Sequence, residues 1–315
     1  MTIFPVIIPT LCRYEHFKRC VDSLSMCTLA EQTELVVGVD YPASSEHVNG
    51  YNKIVEYTKD IKGFKKVTIF TTDVNLGPGK NLQRLYDYAY KFYDAVIFTE
   101  DDNEFSPCFL EFMNYSLNNF KDDESIMSIG GYTSEAYYGA TTEKMILTYD
   151  TSAWGYGSWK NKFNFVGTEI DYYQSIVTSL NKSFRIFKTY PLLLSMLINM
   201  LTKGDRWGDT MYSSYNIINR LYQLRPSVSM ARNWGQDGSG LHSGVDSSYA
   251  NQVIQDIDYF DVSNISIERV KSETKKVNKC SFWMGLPRNR VHACLSLLYI
   301  IYKWFHYRIS NSNCK

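Results

Sequence analysis

Short apolar runs alternate with amphipathic ones through the first hundred residues. Ile3-Phe4-Pro5-Val6-Ile7-Ile8 is compact and apolar, and Phe17, Val21 and Leu24 then recur at helical spacing. Leu35-Val36-Val37-Gly38-Val39 reads as a second strand ending at Asp40. A polar helical stretch around residues 47–59 leads into a third strand, Val67-Thr68-Ile69-Phe70. Leu82, Leu85, Tyr86, Ala89 and Tyr90 mark one face of a further helix, which returns the chain to Ala95-Val96-Ile97-Phe98. Strand and helix alternating in this way predict an α/β fold, a mostly parallel sheet flanked by helices. Ligands of such sheets bind beyond the carboxyl ends of the strands. Asp40 and the triplet Glu100-Asp101-Asp102 both fall there.

Beyond the triplet, Ser106-Pro107 reads as an N-cap with proline at the first helical position. The helix it opens runs through Phe109, Phe112, Met113 and Leu117, and Ile126–Ile129 reads as a fifth strand. From Tyr132 to about Gly244 the pattern is irregular and rich in Gly, Trp and Tyr. Pro191–Leu201 is strongly apolar but falls short of the roughly 20 residues that span a bilayer, so it predicts a buried helix. No internal repeat or low-complexity linker interrupts the chain.

Charge changes this picture at one end. All 33 acidic residues lie at or before Glu273, while residues 274–315 carry eight basic ones. Residues 1–273 therefore hold 25 basic against 33 acidic residues. An acidic body argues against nucleic acid as a partner, because a phosphate backbone needs a basic face on the folded domain. The 25 tyrosines suit carbohydrate recognition, since each offers an apolar ring with a polar tip, although the same rings also suit a core. Seven scattered cysteines without metal-ligand spacing fit a reducing compartment, and no signal-peptide pattern opens the chain. Both point to the cytoplasm.

Adjacent carboxylates after a buried strand repel, and each raises its neighbour's pKa unless a cation neutralises them. Mn²⁺ or Mg²⁺ accepts such oxygen ligands and keeps positions open for substrate phosphates. A solvated, helix-capping turn is the other reading of the triplet. Asp209, in Gly204-Asp205-Arg206-Trp207-Gly208-Asp209, is the candidate catalytic base; Asp205, one helical turn away, is its rival. Such a base typically contributes about 10²–10⁴-fold. Both acids also suit a helix N-terminus, where they complement the dipole. Trp207 is placed to stack on a sugar face. His242 lies in a run with glycines at 235, 238, 240 and 244, where it suits either a metal or diphosphate contact or a surface loop. Lys80 suits a phosphate contact or a solvated charge at a helix start.

Several motifs together resemble the GT-A glycosyltransferases. Pro5-Val6-Ile7-Ile8-Pro9-Thr10, the strand ending at Asp40, and Asn75-Leu76-Gly77-Pro78-Gly79-Lys80-Asn81 are similar to their nucleotide-binding half, as also found in family 2 glycosyltransferases. The run from Val96 through Glu100-Asp101-Asp102 to Phe112 resembles a stretch of the N-acetylglucosaminyltransferase I family. Ala153-Trp154-Gly155-Tyr156-Gly157-Ser158-Trp159, Arg206-Trp207-Gly208-Asp209-Thr210-Met211, Arg225-Pro226 and Gly240-Leu241-His242-Ser243-Gly244 follow in that family's order. Gly208 and Thr210 depart from its pattern. The likeness spans roughly residues 3–245.

The resemblance implies a nucleotide-sugar-binding half (1–105) and an acceptor-binding half (106–250) on a GT-A, Rossmann-like fold, and the charge pattern adds a C-terminal basic amphipathic tail (251–315). The resemblance also implies Asp102 as the direct metal ligand, and His242, from its glycine-rich setting, is the candidate second ligand. Asp101 would hold the ribose, Glu100 the nucleotide and metal shell, and Asp40 the base, with Asn75, Lys80, Trp154 and Trp207 completing the donor site. Asp209 would be the catalytic base. The expected activity is metal-dependent, inverting sugar transfer from a UDP-sugar, with UDP-GlcNAc one candidate, to a saccharide or lipid-linked saccharide in bacterial surface polysaccharide assembly. Nucleotidyl transfer and non-catalytic carbohydrate binding are the rivals. Val291, Leu295, Leu298, Ile301 and Phe305 with flanking basic residues suggest peripheral contact with an anionic membrane through residues 275–310. The same residues also suit a docked helix or a dimer contact.

Overall fold

The computed structural model describes residues 1–163, 169–240, 244–257, 259–262 and 265–312 of the chain. Its strands are β1 (Val6–Thr10), β2 (Glu34–Val39), β3 (Lys66–Phe70), β4 (Ala95–Phe98), β5 (Asn103–Phe105), β6 (Ile126–Gly130), β7 (Met145–Thr148), β8 (Tyr156–Trp159), β9 (Tyr222–Pro226) and β10 (Ala231–Asn233). The helices are α1 (Tyr14–Ser25), α2 (Val48–Thr58), α3 (Gly77–Ala89), α4 (Phe109–Asn119), α5 (Lys160–Phe163), α6 (Ile170–Thr178), α7 (Leu180–Thr189), α8 (Pro191–Lys203), α9 (Gly208–Asn219), α10 (Ile267–Val277), α11 (Lys279–Trp283) and α12 (Arg290–Ser312).

One sheet has the order β3-β2-β1-β4-β8-β6-β9-β7. The pairs β1–β2, β1–β4, β2–β3 and β6–β9 are parallel, and β8 runs antiparallel between β4 and β6. The fold is α/β, as the alternation predicts. The central strands are apolar throughout because they are covered on both faces. Along β1, Val6 and Ile8 join Phe17, Val21 and Leu24 of α1, whereas Ile7 turns to Leu85, Tyr86 and Ala89 of α3. Period-two alternation thus feeds two cores, and each fully buried side chain of this kind stabilises the fold by about 1.5–3 kcal/mol.

The region after Tyr132 is more regular than its sequence suggests. Helices α6 to α9 and α12 enclose a second core around Tyr173, Ile176, Leu197, Ile198 and Ile300. Helix α8 is the predicted buried helix; Pro191 opens it and Gly204, at φ 72°, ends it. Helix α4 begins at Phe109, two residues later than the Ser106-Pro107 reading, with no side-chain cap. The Ser106 hydroxyl donates instead to the Gln255 carbonyl, a tertiary contact that the local pattern does not reveal. The tail packs on the sheet and the second core through α10 against β7 and α12 against α8. Six cysteines lie among the described residues, all as free thiols. No helix among the described residues is long and apolar enough to cross a membrane.

Candidate active site

β1 and β4 are neighbours, so their carboxyl ends deliver Thr10 and the acidic triplet to one place. Thr10 Oγ1 donates to Asp101 Oδ2 at 2.7 Å. Arg13, just ahead of α1, sets its Nη2 between two carboxylates: it donates to Asp101 Oδ1 and lies 2.8 Å from Asp102 Oδ2. Asn233 Nδ2 donates to the remaining Asp102 oxygen, Oδ1, at 2.7 Å. Both aspartates are buried. Burial alone would discourage the Arg13 charge, but the two carboxylates reverse that and hold the guanidinium protonated.

Asn233 arrives on a small antiparallel ribbon of β5 and β10. Arg232 makes a two-pronged pair with Glu104, at 3.0 and 2.8 Å, and Trp234 Nε1 donates to the same carboxylate at 2.6 Å. The Arg19 guanidinium covers the Trp234 ring at 4.1 Å. This knot fixes the segment that follows, and the Trp234 N–H donates to the Asp102 carbonyl at 2.8 Å. A Cβ on Gly235 would lie 2.0 Å from Asp102 Oδ2, so only glycine lets the backbone pass this close.

Asp40 ends β2 and is buried. Its Oδ1 accepts from the Tyr41 and Leu76 N–H groups at 2.9 and 2.8 Å. Asn75 Nδ2 lies 3.4 Å from Asp40 Oδ2 and donates to the Tyr41 carbonyl. Asp40 and Asn75 therefore form one unit at the strand ends, while Lys80 is exposed in the first turn of α3.

Asp209 occupies the first turn of α9. Asp209, Ser213 and Asn216 share one helix face, and all three bond the segment between β7 and β8. The Ala153 N–H donates to the Asp209 carboxylate, the Thr151 N–H to Ser213 Oγ at 2.8 Å, and Asn216 Nδ2 to Thr151 Oγ1 at 3.1 Å. Asp209 keeps an accessible surface, yet the protein packed around its carboxyl pushes it up to about 6. Arg225 and the Ala153 N–H restrain that rise and Asp150 adds to it. Glu100 is partly buried, and burial followed by the charges of Asp102, Asp209 and Asp101 lifts it to about 8, against Arg13. Asp209 is thus within electrostatic reach of the triplet despite lying over a hundred residues away in sequence.

Beneath Asp209 lies a buried ion pair. Arg225 Nη2 donates to the Asp150 carbonyl at 2.6 Å, Nη1 lies 3.0 Å from Asp150 Oδ2, and Tyr137 donates to Asp150 Oδ1. Trp154 meets Tyr132 and Tyr249 edge-on, with ring centroids 4.5 and 5.1 Å apart. Gly155 at φ 72° permits this bend, and a Cβ there would strike Phe109 at 2.7 Å. Trp207 packs partly on the second core with Lys203 5.6 Å from its ring. His242 lies outside the described residues.

Sequence reasoning missed Thr10, Arg13, Asn233 and Asp150. Thr10 and Arg13 did carry a signal, because they follow the first strand at the sheet edge where ligands bind. Asn233 carried none beyond its nearness to Gly235.

A divalent cation suits the triplet by charge. Asp101 and Asp102 supply hard oxygen donors side by side, and the Arg13 guanidinium already stands between them. Among the described residues no group of three or more His, Cys, Asp and Glu side chains forms a cage for an ion. Both Asp102 oxygens already meet donors, Arg13 on one and Asn233 on the other, so an ion there would take the place of one of these contacts.

No protein-family model and no curated protein sequence matches the chain. Among solved structures, the mannosyltransferase PcManGT from Pyrobaculum calidifontis, in complex with GDP-Man and Mn²⁺, is similar over 68% of this chain and 69% of its own, at 10% identity and TM-score 0.41. Mouse xyloside xylosyltransferase 1 is similar over 69% of this chain and 82% of its own, at 8% identity and TM-score 0.37. S. aureus TarS 1-349 is similar over 50% of this chain at 17% identity and TM-score 0.35, and the chain spans 47% of that protein's length. The chain spans 28% of a longer TarS structure, at 16% identity and TM-score 0.33. The roles of individual residues therefore rest on this chain's own geometry.

Proposed function

We propose that this chain is an inverting glycosyltransferase of GT-A type, moving a sugar from a nucleotide-sugar, a UDP-sugar in first place, to a saccharide or lipid-linked saccharide hydroxyl. One observation carries the reading: a clamped pair of carboxylates, Asp101 and Asp102, shares a site with a raised, accessible one, Asp209. Asp40 and Asn75 line the base end of the donor site, and Asp101 faces the ribose. Arg13 supplies positive charge beside the diphosphate. Asp102 would hold Mn²⁺ or Mg²⁺, and such an ion, when bound, neutralises charge on the departing diphosphate. Asp209 takes the proton from the acceptor hydroxyl as that oxygen attacks the anomeric carbon and the bond to the diphosphate breaks. A carboxyl near 6 is mostly ionised at neutral pH, yet basic enough for this role. Trp154, half-buried with Tyr132 and Tyr249 edge-on beside it, offers a ring face to the donor sugar. Surface polysaccharide assembly on the cytoplasmic side of a bacterial membrane, with peripheral contact through residues 275–310, is the setting that fits.

A thermal-shift screen of UDP, GDP, dTDP and CDP, each with and without Mn²⁺, tests the proposal. A Mn²⁺-dependent rise in melting temperature with UDP is expected. No metal-dependent shift with any of the four would overturn it.

A further inference from the structure

Helix α12 is apolar on two opposite sides. Ala293, Ile300 and Tyr307 recur every seven residues and are buried, the latter two in the second core. Lys303 and Trp304 fasten the same side: Lys303 Nζ donates to Ser195 Oγ at 3.2 Å, and Trp304 Nε1 to the Val177 carbonyl at 2.9 Å. Half a turn away, Val291, Leu295, Leu298, Tyr302, Phe305 and Ile309 follow one another at steps of four and three residues, each between 52% and 66% exposed. A groove of about 390 Å³ between Leu192, Leu286, Leu295 and Tyr299 adjoins this outer stripe and widens its apolar surface. A surface helix ordinarily carries one apolar stripe, turned inward. A second one, exposed along the whole helix, marks a place for a partner.

Charge selects the partner. Steps of four and three would also suit a coiled coil, in which opposite charges beside the seam favour self-pairing. α12 has no acidic residue, and the chain has none after Glu273. Arg288 and Arg290 are exposed where the outer stripe begins. A second copy would set like charges together, whereas an anionic lipid surface complements them.

We propose that α12 is an interfacial helix whose outer stripe seats in an anionic leaflet while its inner stripe stays docked on α8. This rests on the peripheral-membrane part of the proposed function and is independent of the transfer chemistry. The same helix face that holds the second core together thereby sets the orientation of the catalytic domain on the bilayer.

Flotation of the full chain with vesicles tests it, using phosphatidylcholine alone and phosphatidylcholine mixed with phosphatidylglycerol. The chain is expected to float with the anionic vesicles and to be released by salt. Replacing Arg288 and Arg290 with Gln should weaken binding roughly twentyfold, each basic residue contributing about fivefold near such a surface. Leu298→Glu with Tyr302→Glu should abolish binding while leaving the melting temperature and the Mn²⁺-dependent nucleotide shift unchanged, since both side chains face solvent. No flotation with either vesicle, or full binding by the double Glu variant, would overturn the proposal. So would a dimer in sedimentation equilibrium that the double Glu variant dissolves without vesicle binding. A negative vesicle result beside an intact nucleotide shift would remove the membrane role and leave the transferase reading standing.

Discussion

Asp102 and Asp209 are both acids at the same cleft, held in opposite ways. Asp102 is buried, and each of its carboxylate oxygens meets a donor, Arg13 on one and Asn233 on the other. Asp209 stands on the first turn of a helix, keeps an accessible surface and is raised to about 6. Donors on both oxygens fix the position of a carboxylate, which suits binding. Packing protein around the Asp209 carboxyl raises its proton affinity, which suits proton transfer. On the proposed reading the two acids divide binding from proton transfer, one through its donors and the other through the protein packed around it.

The largest effect should come from beneath the pair. Arg225→Ala leaves Asp150 as a buried, unpaired charge and should cost about 3–5 kcal/mol in urea unfolding. If the cost were under about 1 kcal/mol, the ion pair would not be what holds the segment bearing Ala153 and Trp154. Asp102→Asn should come next, weakening Mn²⁺-dependent UDP binding by about a hundredfold or more in calorimetry, because several kcal/mol attach to such a contact. Equal weakening by Asp209→Asn would erase the division of tasks.

Two smaller effects concern protons. Turnover should fall about tenfold per pH unit below about 6, where Asp209 holds its proton, and this limb should be missing from the residual activity of Asp209→Asn. The folded Asp209 carboxyl binds its proton more tightly than an unfolded one. Stability associated with that proton is full in acid and is lost as the pH rises through about 6. Asp209→Asn should therefore melt at or slightly above the wild-type temperature at pH 7.5, with the difference closing toward pH 4. A clear drop at pH 7.5 would make Asp209 a structural cap.

Much of the first half was legible in the chain. Buried parallel strands are near-continuous apolar runs, so β1, β2 and β4 stood out, and strand ends in such sheets are where ligands bind. That located Asp40 and the triplet. What closes the site was not legible, because it depends on long-range contacts. Arg13 reaches Asp101 across 88 positions and Asn233 reaches Asp102 across 131. The three-residue strands β5 and β10 are too short to show a period. Ser106 looked like a helix cap because its rival partner, the Gln255 carbonyl, is 149 residues away. Asp209 stands out in the sequence because a helix start, a neighbouring Trp and a motif likeness coincide in six residues. The tail showed a broad apolar surface, but only the packing of Ile300 and Tyr307 separates its docked stripe from its exposed one.

The most direct test measures donor binding and sugar transfer for Asp209→Asn in parallel, at saturating Mn²⁺ and pH 7.5. The account predicts nucleotide-sugar affinity within about twofold of wild type and turnover lower by about 10²–10⁴-fold, the usual contribution of a general base. Wild-type turnover in Asp209→Asn, or loss of donor binding together with turnover, would contradict it.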